Sequence, residues 1–287
     1  MKSSWMLVAA ALFGVMGALV KTAAHDFSSA ELVFYRSVFG LVAIYLIILL
    51  RTRTWLASLA TSHWRAHVRR AFSGFAALLL FFYAVAHLPL PTAVTLNYTA
   101  PLFLALLTTL WLGERHAKSF VFAIIVGFAG VVILLRPGNT DHDNWATWIG
   151  LASGLLAAVA YLNVRALGRL GEPEWRIVFY FALISTVGAA SWMLWYGAGW
   201  PSRSQVPILL AIGATATLAQ LAMTRAYRLG DTLVVGSFAY ATVGFSALYG
   251  SFLFHDSLSK QSWGGIALIV LAGLFATRSS TSRANTE

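Results

Sequence analysis

Lys21, Glu31 and Arg36 fall in or beside two long apolar stretches near the N-terminus. Tyr98, Gln220 and Tyr240 fall in the middle of three more. Ionisable and amide groups in such stretches are costly, so they face a cavity, a partner or a polar boundary. The chemistry open to them is recognition rather than reaction. Hydroxyls and an amide can hydrogen-bond a solute, a cation can draw a carboxylate, and rings can cover an apolar body. Lys21, Glu31 and Arg36 lie at similar depth and form a candidate gate or rim. The plainer reading, preferred for Glu31 and Arg36, is a structural contact between the two, with Lys21 snorkelling to the boundary.

Candidate cavity residues come in matched sets. Thr95 and Tyr98 stand at the depth of Ser237 and Tyr240, with Pro101 and Gly244 as candidate hinges. Pro101 removes a backbone hydrogen bond and can expose carbonyls at mid-span. Phe82 and Tyr83 belong to an aromatic face of the third stretch, opposite Thr217, Gln220 and Thr224 of the eighth. Tyr161 and Asn163 have the same standing in the sixth. Packing with local hydroxyl bonds is the competing explanation for each.

Catalytic and cofactor patterns are absent from the sequence. There is no P-loop, no HExxH and no Gly-x-Ser-x-Gly, and no cysteine for a disulfide or thiolate site. His63, His67, His87, His116, His142 and His255 lack ligand spacing. The expectation is therefore no enzyme, no metal and no cofactor. A net charge of +10 could suggest nucleic acid, but the charge is dispersed in short connections, so headgroups and insertion bias explain it better.

These residues must be positioned by membrane-spanning helices. The chain is 59% hydrophobic and only 10% charged, against about 25% charged in a soluble domain. Ten spans are predicted, over 4–24, 30–50, 71–87, 91–112, 119–135, 145–167, 175–196, 205–229, 232–254 and 262–277. The first is read as a retained helix rather than a cleaved leader. Ser28 to Glu31 resembles a capping box, Arg136 to Asn139 is a helix stop, and a disordered polar tail is expected over 279–287. Arg51, Arg53, Arg65, Arg69 and Arg70 share one connection, assigned to 51–70, whereas 25–29 has no Lys or Arg. Carried along the chain, this bias places both termini in the cytoplasm, in a bacterial inner membrane.

The chain also repeats itself. Leu90 through Glu114 aligns with Thr232 through Asp256 at an offset of about 142, which carries Tyr98 onto Tyr240. Each half holds five spans, 1–138 and 139–278, so the second half is inserted upside down. The predicted fold class is all-α, ten transmembrane helices in two inverted five-helix repeats. Halves of similar shape can exchange inward-open and outward-open roles by alternating access. Gly14-x-x-Gly17 and Gly150-x-x-x-Gly154, in matched helices, suit close packing.

In these features the chain resembles the drug/metabolite transporter superfamily in its ten-helix form with two EamA repeats. The matching residues are Glu31-x-x-Phe34-x-Arg36, Leu88-x-x-x-Thr92-Ala93, Pro101, Gly113-Glu114 and Gly127-x-x-Gly130. Ala226 to Asp231 is the counterpart in the second half. His255-Asp256 departs from Gly-Glu, and the first span has no acid. Within the superfamily the chain is most similar to YddG-like exporters of aromatic amino acids. The resemblance implies an exporter of amino acids or related amphipathic small molecules working in the lipid bilayer. The missing acid in the first span argues instead for facilitated, gradient-driven movement over proton antiport, and a monomer is expected. The alternatives are a multidrug or other metabolite exporter, proton-coupled or not, and a non-transporting membrane enzyme or scaffold.

Overall fold

The computed structural model describes residues 3–52, 59–112, 118–135, 144–197, 199–230, 232–256 and 259–284. Twelve helices appear among them: α1 Trp5–Ala23, α2 Ser29–Thr52, α3 Trp64–His87, α4 Leu90–Asn97, α5 Ala100–Leu112, α6 Lys118–Leu135, α7 Asn144–Arg169, α8 Glu174–Tyr196, α9 Val206–Leu229, α10 Thr232–Ala239, α11 Ala241–Phe254 and α12 Lys260–Ala284. These are ten spans, because the fourth is broken into α4 and α5 and the ninth into α10 and α11. An unbroken span such as α1 has 19 residues and α7 has 26. At 1.5 Å per residue these lengths cross a hydrocarbon layer of about 30 Å.

The packing is pseudo-twofold. α3 lies against α7, and their repeat mates α9 and α1 lie against each other. α2 meets its own mate α8, and α6 meets its own mate α12. α1 touches α11 as α7 touches α4 and α5. The inverted repeat of the sequence is thus a repeat of contacts.

Both breaks fall at the matched tyrosines. In span four the N–H missing from Pro101, the second residue of α5, would have bonded the carbonyl of Asn97. Thr99 Oγ1 instead donates to the Leu96 carbonyl at 2.6 Å. In span nine no proline is present; Tyr240 caps α11, and Val243 N–H bonds back to its carbonyl at 3.0 Å. Gly154 of α7 backs onto the first break so closely that a Cβ there would meet the Leu96 carbonyl at 2.7 Å.

Three expectations need correction. α3 starts at Trp64 rather than Ala71, so Arg69 and Arg70 are helical, because a run of Arg, Ala and Val continues the helix. Pro101 and Gly244 do not sit at the breaks; these fall at Tyr98–Thr99 and Tyr240. α12 runs to Ala284, into the expected disordered tail, since its Ser/Thr/Arg stretch contains no Gly or Pro stop. The predicted stop over 136–139, Gly113-Glu114, Asp231 and the side chain of Ser237 lie outside the described residues.

Candidate functional site

A cavity of about 80 Å³ lies at the centre of the bundle, between α1, α2, α3, α7, α8 and α9 and beside both breaks. Two arginines reach it. Arg36 comes from α2 and Arg70 from the lower part of α3, with 5% and 2% of their surface exposed. Both guanidinium groups lie near the Phe181 ring of α8, at 5.5 Å for Arg36 and 4.5 Å for Arg70. Arg36 Nη2 donates to Gln220 Oε1 at 3.4 Å, while Arg36 Nε and both Arg70 Nε and Nη1 are buried without a hydrogen-bond partner. No carboxylate lines this cavity among the described residues. A cation over a ring gains about 0.5–2 kcal/mol. Desolvating a charge costs several kcal/mol. One phenyl ring therefore cannot offset two buried cations, and their charge is left uncompensated among the described residues.

The rest of the wall is apolar or aromatic. Phe13, Met16, Phe81 and Met223 contribute, and Asn97 and Tyr98 stand at the break. Asn97 Nδ2 donates to Ser153 Oγ at 3.0 Å, tying the break to α7. Tyr161 lines the cavity and stacks on Tyr227 at 4.7 Å.

Of the residues singled out in the sequence, Tyr98, Tyr161, Gln220 and Arg36 meet here. Tyr240 is buried at the second break but off the wall. Phe82 packs in the core, and its neighbour Phe81 takes the wall position. Tyr83 stacks on His87 at 4.1 Å. Thr95 Oγ1 bonds the Pro91 carbonyl within its own helix. Thr217 bonds the Gly213 carbonyl and lines a smaller recess behind Arg36. Thr224 is buried, and Asn163 lies in a groove between α3 and α7.

The expected Glu31–Arg36 contact does not form. Glu31 completes a capping box, accepting from Ser28 N–H and Oγ at 2.8 Å each, while Arg36 turns inward. Arg70 was missed because it counted as a loop residue. The available signal was the helix-forming run from Trp64, which places Arg70 one face turn below Gly74 and Ala77.

Ion pairs lie at both ends. At the end where α1 finishes, Lys21 Nζ lies 3.1 Å from Asp256 and 3.2 Å from the Leu88 carbonyl, and Asp256 Oδ2 accepts from Leu90 N–H at 2.9 Å. Lys21 thus joins three spans rather than snorkelling to the boundary. At the basic end, Glu172 between α7 and α8 is 4% exposed and gathers Thr61 at 2.6 Å, Arg176 at 2.9 Å and His63 at 3.2 Å, with His67 at 3.4 Å. Burial raises the Glu172 carboxyl. The hydrogen bonds from Thr61, Arg176 and His63, with the Arg176 charge, more than reverse this and take it down to about 2. His63 and His67, scattered in the sequence, therefore converge on one carboxylate. Arg228 pairs with Glu174 beside them.

A broken-helix, inverted-repeat bundle around a central, largely apolar cavity with a few polar and cationic groups is the architecture of a membrane transporter. Residues 2–136 match the EamA-like transporter family. The pseudopaline exporter of Pseudomonas aeruginosa is 30% identical over 273 residues, 95% of this chain and 94% of its own length. A riboflavin transporter of Brucella anthropi is 29% identical, over 84% and 87%. An S-adenosylmethionine uptake transporter of Rickettsia bellii is 24% identical, over 94% and 89%. A solved crystal structure superposes over the whole of both chains with a TM-score of 0.71 at 20% identity, which shows the shared fold. The chain belongs to the EamA-like transporter family.

Proposed function

We propose that the protein exports a small carboxylate-bearing solute with an aromatic or apolar body, of the amino-acid class, by alternating access around the central cavity. The observation that carries this reading is the Arg36–Arg70 pair over Phe181, with free donors and no carboxylate beside it among the described residues. A carboxylate would satisfy those donors by charge-assisted hydrogen bonds, and Phe81, Tyr98 and Tyr161 would cover the ring or chain attached to it. The cavity is smaller than the roughly 150 Å³ that accommodates benzene. This form is then a contracted state, and loading requires one end to open. No acid lines the cavity among the described residues, which supports gradient-driven, facilitated movement by a monomer in a bacterial inner membrane with both termini in the cytoplasm. The relatives carry different named cargoes, so they support transport and not a particular solute.

The test is counterflow in proteoliposomes with labelled phenylalanine, tyrosine and leucine against their amides, which lack the carboxylate. The acids should move and the amides should not. Arg36→Gln or Arg70→Gln should raise the half-saturating concentration by on the order of tenfold, the size of one lost charge-assisted bond. Equal transport of acid and amide would reject the anion site. Counterflow that stops when the pH gradient is collapsed would favour the second reading, a proton-coupled metabolite exporter. For sidedness, a label at Ser62 should be protected in intact cells and one at Ser202 reached from outside.

A further inference from the structure

We propose that the groove between α3, α7 and the end of α5 binds an anionic phospholipid. The groove has a volume of about 590 Å³ and an apolar floor that includes Phe72, Leu162 and Trp111. Arg69, Arg165 and Arg169 rim it at the basic end, and no Asp or Glu lines it among the described residues. Arg69 also lines an adjoining recess with Arg65 and Trp64, so the cationic rim continues around the start of α3. Neither Arg69 nor Arg169 has a carboxylate within ion-pair distance among the described residues, and both are exposed.

Depth selects the occupant. Residues 64–73 begin α3, Arg165 and Arg169 end α7, and Trp111 ends α5, so all lie at one membrane boundary. Trp111 and Trp64 are 66% and 57% exposed there, as interfacial tryptophans are. Phe72, 67% exposed, faces the level where acyl chains begin. A headgroup phosphate bearing net negative charge fits the arginine rim, and an acyl chain fits the floor. A second groove at the same boundary supplies the contrast. It is about 430 Å³ and lies between α1, α2, α8 and α9, with Trp5 and Trp175 in its wall. There Arg225 stands over the Trp5 ring at 4.8 Å and faces Glu174 at 3.9 Å, so its charge is compensated within the protein. The second groove offers an acyl chain the same cover without asking for a charged headgroup.

The experiment uses the purified full chain in a neutral detergent, titrated with dioleoyl-phosphatidylglycerol or dioleoyl-phosphatidylcholine, with bound lipid counted by native mass spectrometry. Wild type should retain phosphatidylglycerol on the order of tenfold more strongly, as expected for two or more basic contacts. The double variant Arg69→Gln/Arg169→Gln should bind the two lipids about equally, while Arg69→Lys/Arg169→Lys and Arg225→Gln keep the preference. Equal retention by wild type overturns the site whether or not any variant folds. So does a full preference in the Gln double variant, or in both single Gln variants if the double does not fold. Displacement of the lipid by inorganic phosphate at equal concentration would mark a free-anion site instead and also overturn the proposal.

Discussion

The two halves of the bundle share their architecture and not their chemistry. Tyr98 and Tyr240 mark breaks at matched depth, and the helix contacts of one half recur in the other. At the same offset, however, Arg36 and Arg70 fall on Val178 and Ile212, both buried and apolar. The first half supplies both cations, and the second supplies the ring and the amide they meet, Phe181 and Gln220. Symmetry is what an exchange of two conformations requires, since each half must take the other's place. Recognition has no such requirement, because a solute with one carboxylate and one apolar end is itself asymmetric. Symmetric positions should therefore govern stability and motion, and asymmetric ones should govern which solute is held.

The largest expected effect breaks the symmetric part. Gly154→Val puts a side chain against the Leu96 carbonyl at 2.7 Å and the Asn97 carbonyl at 3.1 Å. Backbone at a helix break cannot rotate away, so a loss of about 3 kcal/mol is expected. Thermal unfolding in detergent should fall by several degrees and transport with it. An unchanged melting temperature would mean that α7 does not brace the break.

The next effect lies at the basic end. The Glu172 carboxyl is held at about 2, below its ordinary value near 4.3. A depressed carboxylate contributes stability above its unfolded pKa and loses it as pH falls toward the folded one. The contribution is therefore constant from pH 5 to 8 and fades between about pH 4 and 2. Glu172→Gln should cost about 2 kcal/mol at pH 7 and flatten the acid limb of the stability profile. An acid limb identical to wild type would show that the carboxylate is not the anchor of Thr61, His63 and Arg176.

The asymmetric part should respond in the opposite direction. Arg70→Met removes a buried cation with orphaned donors and leaves an apolar side chain of similar length. Thermal stability should rise, by about 1 kcal/mol, while counterflow of the carboxylate substrate is lost. A fall in both would make Arg70 a structural residue and end the comparison between the halves.

How much of this was legible in the sequence follows from the same division. Span number, the inverted repeat, the capping box at Ser28–Glu31 and the matched tyrosines could be read from periodicity and offset, because each is set by local or repeated pattern. The Arg36–Arg70 pair could not. The two residues are 34 positions apart, one counted as an edge residue and the other as a loop residue, and their meeting depends on how α2 and α3 lean on α8. His63, His67 and Glu172 were hidden for the same reason, since a distance of about 105 residues along the chain carries no spacing signal. Thr95 and Thr217 are hydroxyls satisfied by their own helix carbonyls. That local alternative is always open to a threonine in a helix.

The smallest expected effect concerns the pair of Lys21 and Asp256. The pair is partly exposed, at 18% and 12%, so its contribution to stability should stay below about 1 kcal/mol. Its position gives it more leverage over conformation than over folding. Lys21 ends α1, Asp256 follows α11, and the Leu88 carbonyl and Leu90 N–H they hold belong to the turn before α4. Asp256→Asn keeps an acceptor for Leu90 N–H but removes the charge that holds Lys21. A shift of about 1 kcal/mol between two conformations changes their ratio roughly fivefold. A cysteine placed at Phe13, on the cavity wall in α1, should then react several-fold faster with a membrane-impermeant thiol reagent added at the Lys21 end, while the melting temperature moves by no more than a degree or two. If the reaction rate is unchanged while the protein destabilises, the pair is an ordinary surface contact, and closure at that end belongs to the apolar packing of α1 against α11.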